Sequence, residues 1–167
     1  AMLVTRGSQG PHARPMYTQK IEDARTGAGF DGTLWFMTDA GSAKVTELLA
    51  DPAVMVIYSA PDKNRFVAVY GAAAPETNPD KARELWNIHT QGWWPGGPDE
   101  PGLVLLRVRV ERAEYWEGPS NAAYMLRLLR AVAVGERVDV KSEHGTVEAG
   151  DPDDSTPRAR TRSLRDD

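Results

Sequence analysis

Ser42 and Lys44 are the residues whose types and spacing most readily suit chemistry. They follow an apolar run, Leu34-Trp-Phe-Met-Thr38, and the strand breakers Asp39, Ala40 and Gly41. Ser42 stands where a helix N-cap belongs, ahead of Ala43 to Ala50. A helix start offers unpaired N–H groups, Ser42 adds a hydroxyl donor, and Lys44 adds a positive charge in the first turn, a combination suited to phosphate. The helix dipole opposes a cation at this end, and a bound anion would account for the lysine. Taken alone, Ser-x-Lys is equally an ordinary N-cap followed by a surface lysine.

Other residues allow both a bland and a functional reading. Arg14 lies on an expected strand with His12 and Met16 on one face and Ala13 and Tyr17 on the other; a lone arginine there is usually solvated or ion-paired. Trp93 and Trp94 sit in a rigid loop, Gln91 to Gly102, rich in Pro and Gly. Two large rings in such a loop are costly to leave in water, so they should cover a partner subunit, a ligand ring or both. His89 closes an amphipathic helical pattern and reads as a cap or packed ring, without an evident acid–base partner. Arg107 and Arg109 read as a solvated or ion-paired strand face.

These residues must be positioned by strands at Ala1–Thr5, His12–Ile21, Leu34–Thr38, Ala53–Ser59, Arg65–Ala73 and Leu103–Glu117. The first is already under way at the first residue, as if an element preceded it. Helices are expected from Ser42 to about Ala50, from Asn78-Pro79-Asp80 through His89, and after Gly118 to about Ala133. Asp51-Pro52 should stop the first helix. Glu22 to Gly29 reads as a polar connection. From Gly150 almost no apolar residue remains, so 150–167 is expected to be a disordered polar tail after one domain at 1–149. Short turns between most strands favour a mainly β (α+β) fold: a six-stranded antiparallel barrel with short helical insertions and a C-terminal helix.

Composition limits the function. A chain of 167 residues suffices to bury roughly two thirds of its unfolded surface. With no cysteine there is no disulfide, thiolate metal site or cysteine nucleophile, and a cytoplasmic location is the default. The apolar runs are too short to span a bilayer as helices, and no secretory leader pattern opens the chain. A net charge of −4 argues against general affinity for nucleic acid or anionic membrane. No metal-ligand cluster, nucleophile triad, carboxylate pair or Gly-x-Gly-x-x-Gly turn is evident.

Several segments, in order, carry a resemblance: Arg14-Pro-Met16, Asp31-Gly-Thr-Leu-Trp-Phe-Met-Thr38, Ser42-Ala-Lys44, Asp51-Pro-Ala-Val54, Trp93-Trp-Pro-Gly-Gly-Pro-Asp99 and Ala113-Glu-Tyr-Trp116. Together they resemble the FMN-binding split barrels related to pyridoxamine 5′-phosphate oxidase, in the general stress protein 26-like branch, from about Leu3 to Gly118. The resemblance implies a split β-barrel homodimer with two FMN sites at the subunit interface. It assigns Arg14, Ser42 and Lys44 to the phosphate. Pro15 and Met16, with Met37 and Thr38, would line the ribityl chain and ring. Trp93 and Trp94 would cover the ring from the opposite subunit, with Phe66 a weaker candidate. FAD and the deazaflavin F420 are the alternative cofactors.

The region after Gly118 lacks the C-terminal Trp and Arg/His pattern of true pyridoxamine-phosphate oxidases, which argues against vitamin B6 oxidation. What the resemblance then implies is an FMN-dependent oxidoreductase moving hydride to or from a small substrate, with a nicotinamide donor a candidate partner. A non-catalytic flavin carrier or redox sensor and an F420-binding reductase are the alternatives.

Overall fold

A computed structural model describes residues 1–19, 30–118, 143–148 and 159–160. The strands among them are β1 (Met2–Gly7), β2 (Gly10–Pro15), β3 (Thr33–Asp39), β4 (Ala53–Ala60), β5 (Arg65–Glu76), β6 (Leu103–Glu117), β7 (Glu143–Glu148) and β8 (Ala159–Arg160). The helices are short: α1 (Ala43–Ala50), α2 (Pro79–Glu84) and α3 (Ile88–Gln91). The chain is thus mainly antiparallel β with few helices, as its alternating apolar runs predict.

The chain divides into two compact units. The first is Ala1–Val56 with Tyr70–Glu111. Its strand order is β2-β1-β4-β5-β6, with β3 also pairing β6. β1 and β2 form a hairpin closed by Ser8 and Gln9, with Gly10 at φ +114°, a backbone state that favours glycine. β3 pairs β6 from Thr33↔Arg109 to Asp39↔Leu103. Phe36, Leu3, Leu105, Leu106, Val56 and Val108 are fully buried, so both faces of β3 and the start of β6 are covered. One cluster, Met37, Ala82, Leu85, Leu103 and Leu105, has Trp35, Trp86 and Trp94 packed against it. β5 needs Gly71, because a Cβ there would stand 2.0 Å from the Arg109 carbonyl oxygen.

The second unit is Ile57–Val69 with Arg112–Asp167. Here β7 pairs β6 from Arg112↔Glu148 to Glu117↔Glu143, and β8 pairs β7. The Tyr115 ring lies over Gly145, and Trp116 stacks on His144 with centroids 5.0 Å apart.

The structure corrects three expectations. There are eight strands among the described residues where six were expected. β7 is polar, Glu-His-Gly-Thr-Val-Glu, and lacks the apolar alternation that marks a strand; the aromatic residues of β6 supply the apolar cover instead. β2 ends at Pro15, and among the described residues after it, to Gln19, there is a single bridge, Thr18↔Phe36. The helix expected from Asn78 through His89 is broken, because Asn87 adopts an extended conformation and its side chain accepts from the His89 and Thr90 amides to start α3. The Glu22–Gly29 connection, the helix after Gly118 and the polar tail lie outside the described residues, apart from β8.

Candidate functional site

The first turn of α1 carries no acidic residue, and Ser42, its N-cap, makes no side-chain bond to the helix amides. The Ser42 hydroxyl instead lies 3.3 Å from Thr38 Oγ1, at the end of β3. Lys44 Nζ donates to the same Thr38 oxygen at 2.7 Å. Asp39 folds the connection, accepting from the Gly41 amide at 2.7 Å. Burial lowers the Lys44 pKa, the Arg14 guanidinium lowers it further, and Asp39 and Glu47 oppose them.

Arg14 and His12 share the face of β2 that also carries Thr5 from β1, through the register Thr5↔His12 and Leu3↔Arg14. Glu47, on α1, meets all three. Its Oε2 accepts from Thr5 Oγ1 and from Arg14 Nη2, both at 2.6 Å, and its Oε1 lies 3.0 Å from His12 Nδ1. These bonds hold the Glu47 carboxyl down to about 2, with Thr5 the largest influence, then Arg14 and His12, against the opposing effect of burial. The Arg14 side chain is only 14% exposed, and its Nη1 is buried without a hydrogen-bond partner. A buried, unpartnered guanidinium nitrogen is costly and unusual, and a missing anion would satisfy it.

Beside these residues is a cavity of about 620 Å³. Of the residues singled out from the sequence, Pro15, Met16, Met37, Thr38, Lys44, Trp93 and Trp94 line it. Arg14 and Ser42 are not in its wall: Arg14 is held by Glu47, and Ser42 touches Thr38. Trp93 and Trp94 line the cavity of the same chain that supplies Lys44, where the resemblance implied cover from the opposite subunit. Trp94 also packs on the core cluster, whereas Trp93 is 82% exposed. Phe66 lies on the part of β5 in the second unit.

Several residues were not foreseen. Tyr17 and His89 both line the cavity, their ring centroids 5.1 Å apart. Gln19, buried, accepts from Asn87 Nδ2 at 2.9 Å and so ties the segment after β2 to the start of α3. Glu47 was not singled out from the sequence. Its spacing from Lys44 places both on neighbouring positions of one helix face, the only local signal available. Among the described residues no group of acidic or histidine side chains is arranged to hold a metal ion, and no helix is long and apolar enough to cross a membrane.

Comparison with known proteins gives a consistent picture. Residues 1–139 match the sequence profile described as "Pyridoxamine 5'-phosphate oxidase like". The general stress FMN/FAD binding protein of the phytopathogen Xanthomonas citri is 31% identical, with 72% of this chain and 80% of that chain covered and a TM-score of 0.61. General Stress Protein 26 of Bacillus anthracis shares the fold at 24% identity and a TM-score of 0.56, covering 68% of this chain and 81% of that one. Protein bli-3 of Neurospora crassa is 27% identical over 90 residues, 49% of this chain; the match spans only 43% of that protein's length. These likenesses fit the antiparallel split-barrel fold. The chain belongs to the pyridoxamine 5′-phosphate oxidase-like family.

Proposed function

We propose that this chain binds FMN in the cavity beside Lys44 and serves as a flavin-dependent oxidoreductase for a small substrate. The observation that carries the reading is a pair of neighbouring cations: Lys44 lines the cavity, and Arg14, behind its wall, keeps Nη1 buried without a partner and is close enough to lower the Lys44 pKa. Two cations and the hydroxyls of Ser42 and Thr38 match the phosphate monoester of FMN, with two charges on one terminal phosphorus, better than the pyrophosphate of FAD or the phosphodiester of F420. Met16, Met37, Trp93 and Trp94 offer apolar and aromatic walls for a flat ring. The name of the Xanthomonas citri relative, an FMN/FAD binding protein, supports a flavin in either form.

When bound, the flavin supplies the hydride chemistry. This chain's residues bind the phosphate, orient the ring and exclude water. Tyr17 and His89 line the same cavity and carry polar atoms suited to contact a substrate. A homodimer belongs to the reading too: Trp93, and Ile88 at 79%, are exposed apolar side chains that a second copy would cover. A cytoplasmic location is part of the same reading.

The test is direct. Purified protein is expected to form a yellow, saturable complex with FMN, and a colourless protein indifferent to added FMN would defeat the proposal. Anaerobic reduction by a nicotinamide donor, then reoxidation by candidate acceptors faster than free FMN allows, identifies the oxidoreductase. Tight binding without such turnover favours a flavin carrier.

A further inference from the structure

A carboxylate beside two cations weakens any anion site, so Glu47 needs a reason to be there. Both of its oxygens are engaged: Oε2 by Thr5 and Arg14 at 2.6 Å each, and Oε1 by His12 at 3.0 Å. The donors come from β1 and β2 and the acceptor from α1, so the contacts lock the helix that carries Lys44 onto the hairpin that carries Arg14. A guanidinium is a rigid planar fork, and fixing one of its nitrogens fixes the direction of the others. With Nη2 held by Glu47, Nη1 is left as a buried donor with no protein partner.

We propose that Glu47 is a positioning residue: by clamping Arg14 Nη2 it presents Nη1 to an anion, and so makes the site select a phosphate-bearing flavin over a phosphate-free one. The inference rests on the flavin-phosphate reading above. It differs from a purely electrostatic role, in which removing the negative charge would strengthen anion binding whatever replaced it. It also differs from a purely structural role, which would weaken all flavins alike.

The experiment compares FMN and riboflavin affinity, by titration of intrinsic flavin fluorescence, for the full chain and for Glu47→Gln, Glu47→Ala and Thr5→Val. The readout is the ratio of the two affinities. Glu47→Gln should keep the preference for FMN, because its amide oxygen can accept from Thr5 and Arg14 in place of Oε2. Glu47→Ala should lose roughly tenfold or more of the preference, the scale of a charge-assisted hydrogen bond, with riboflavin affinity unchanged. Thr5→Val, which only loosens the clamp, should lose a few-fold. A wild-type ratio in Glu47→Ala, or tighter FMN binding in both Glu47 variants, overturns the proposal. If Glu47→Ala does not fold, Thr5→Val decides, and an unchanged ratio there overturns it. Should the unaltered protein bind FMN no better than riboflavin, the phosphate reading itself fails and the positioning role falls with it.

Discussion

Thr5 Oγ1 donates to Glu47 Oε2 at 2.6 Å across 42 residues of sequence, and this bond is the largest influence holding the Glu47 carboxyl at about 2, below its ordinary 4.5. A carboxyl whose folded pKa is depressed contributes stability that is complete above the unfolded pKa and is lost as pH falls through the folded one. Stability should therefore decline between about pH 4.5 and 2. Urea unfolding of the protein without flavin, measured across that window, is expected to show a steeper acid loss in the unaltered chain than in Glu47→Gln, where no proton is taken up at this position.

Lys44 predicts a separation of stability from binding. Its pKa is lowered chiefly by burial, so its charge costs folding free energy below the folded pKa, and that cost is relieved as pH rises toward 10.5. Lys44→Met should leave the flavin-free protein at least as stable at neutral pH. It should weaken FMN by about 1.5–3 kcal/mol, the usual range for a hydrogen bond to a charged group. Paired thermal melts and flavin titrations check both halves.

Gly71 predicts a destabilised variant far from any charge. A methyl group at this position meets the Arg109 carbonyl oxygen at 2.0 Å, and backbone cannot step aside as a flexible side chain can. Gly71→Ala is expected to cost roughly 1–3 kcal/mol or more, as overpacking does. Denaturant midpoints give the measurement, and an unchanged midpoint would contradict the close approach of β5 to β6.

The adjacent indoles should behave differently. Trp94 packs against the Met37, Leu85 and Leu105 cluster, so Trp94→Ala should lower stability by roughly 2 kcal/mol, below the 3–5 kcal/mol of a fully buried aromatic. Trp93 is 82% exposed, and Trp93→Ala should change the stability of the isolated chain by less than about 0.5 kcal/mol. Both line the cavity, so both should shift the absorbance and fluorescence of bound FMN. Melting curves and flavin spectra of the two variants separate the effects.

What could be read from the sequence follows from how local each cause is. The alternation of Leu106, Arg107, Val108 and Arg109 on β6 is local, and the burial follows it; the apolar run of β4 is local too, but burial alternates along it, with Val54 and Val56 buried and Met55 and Ile57 half-buried. The stop of α1 at Asp51-Pro52 is local as well. The break at Asn87 was hidden because Ala82, Leu85, Trp86 and His89 keep helical spacing through it; a side chain competing for backbone amides leaves that pattern untouched. β7 was hidden because its apolar cover is borrowed from Tyr115 and Trp116. At the candidate site, Lys44 and Ser42 stood out by their position on a helix start, and of the two Lys44 lines the cavity. Glu47 did not, since its role lies wholly in partners from β1 and β2.

The Thr38 hydroxyl joins the two residues that mark the start of α1. Lys44 can only donate, so it occupies a lone pair of Thr38 Oγ1, and the Ser42 hydroxyl lies 3.3 Å from the same oxygen. The ammonium therefore polarises both hydroxyls at once, and a change of charge at Lys44 would reach Ser42 through Thr38.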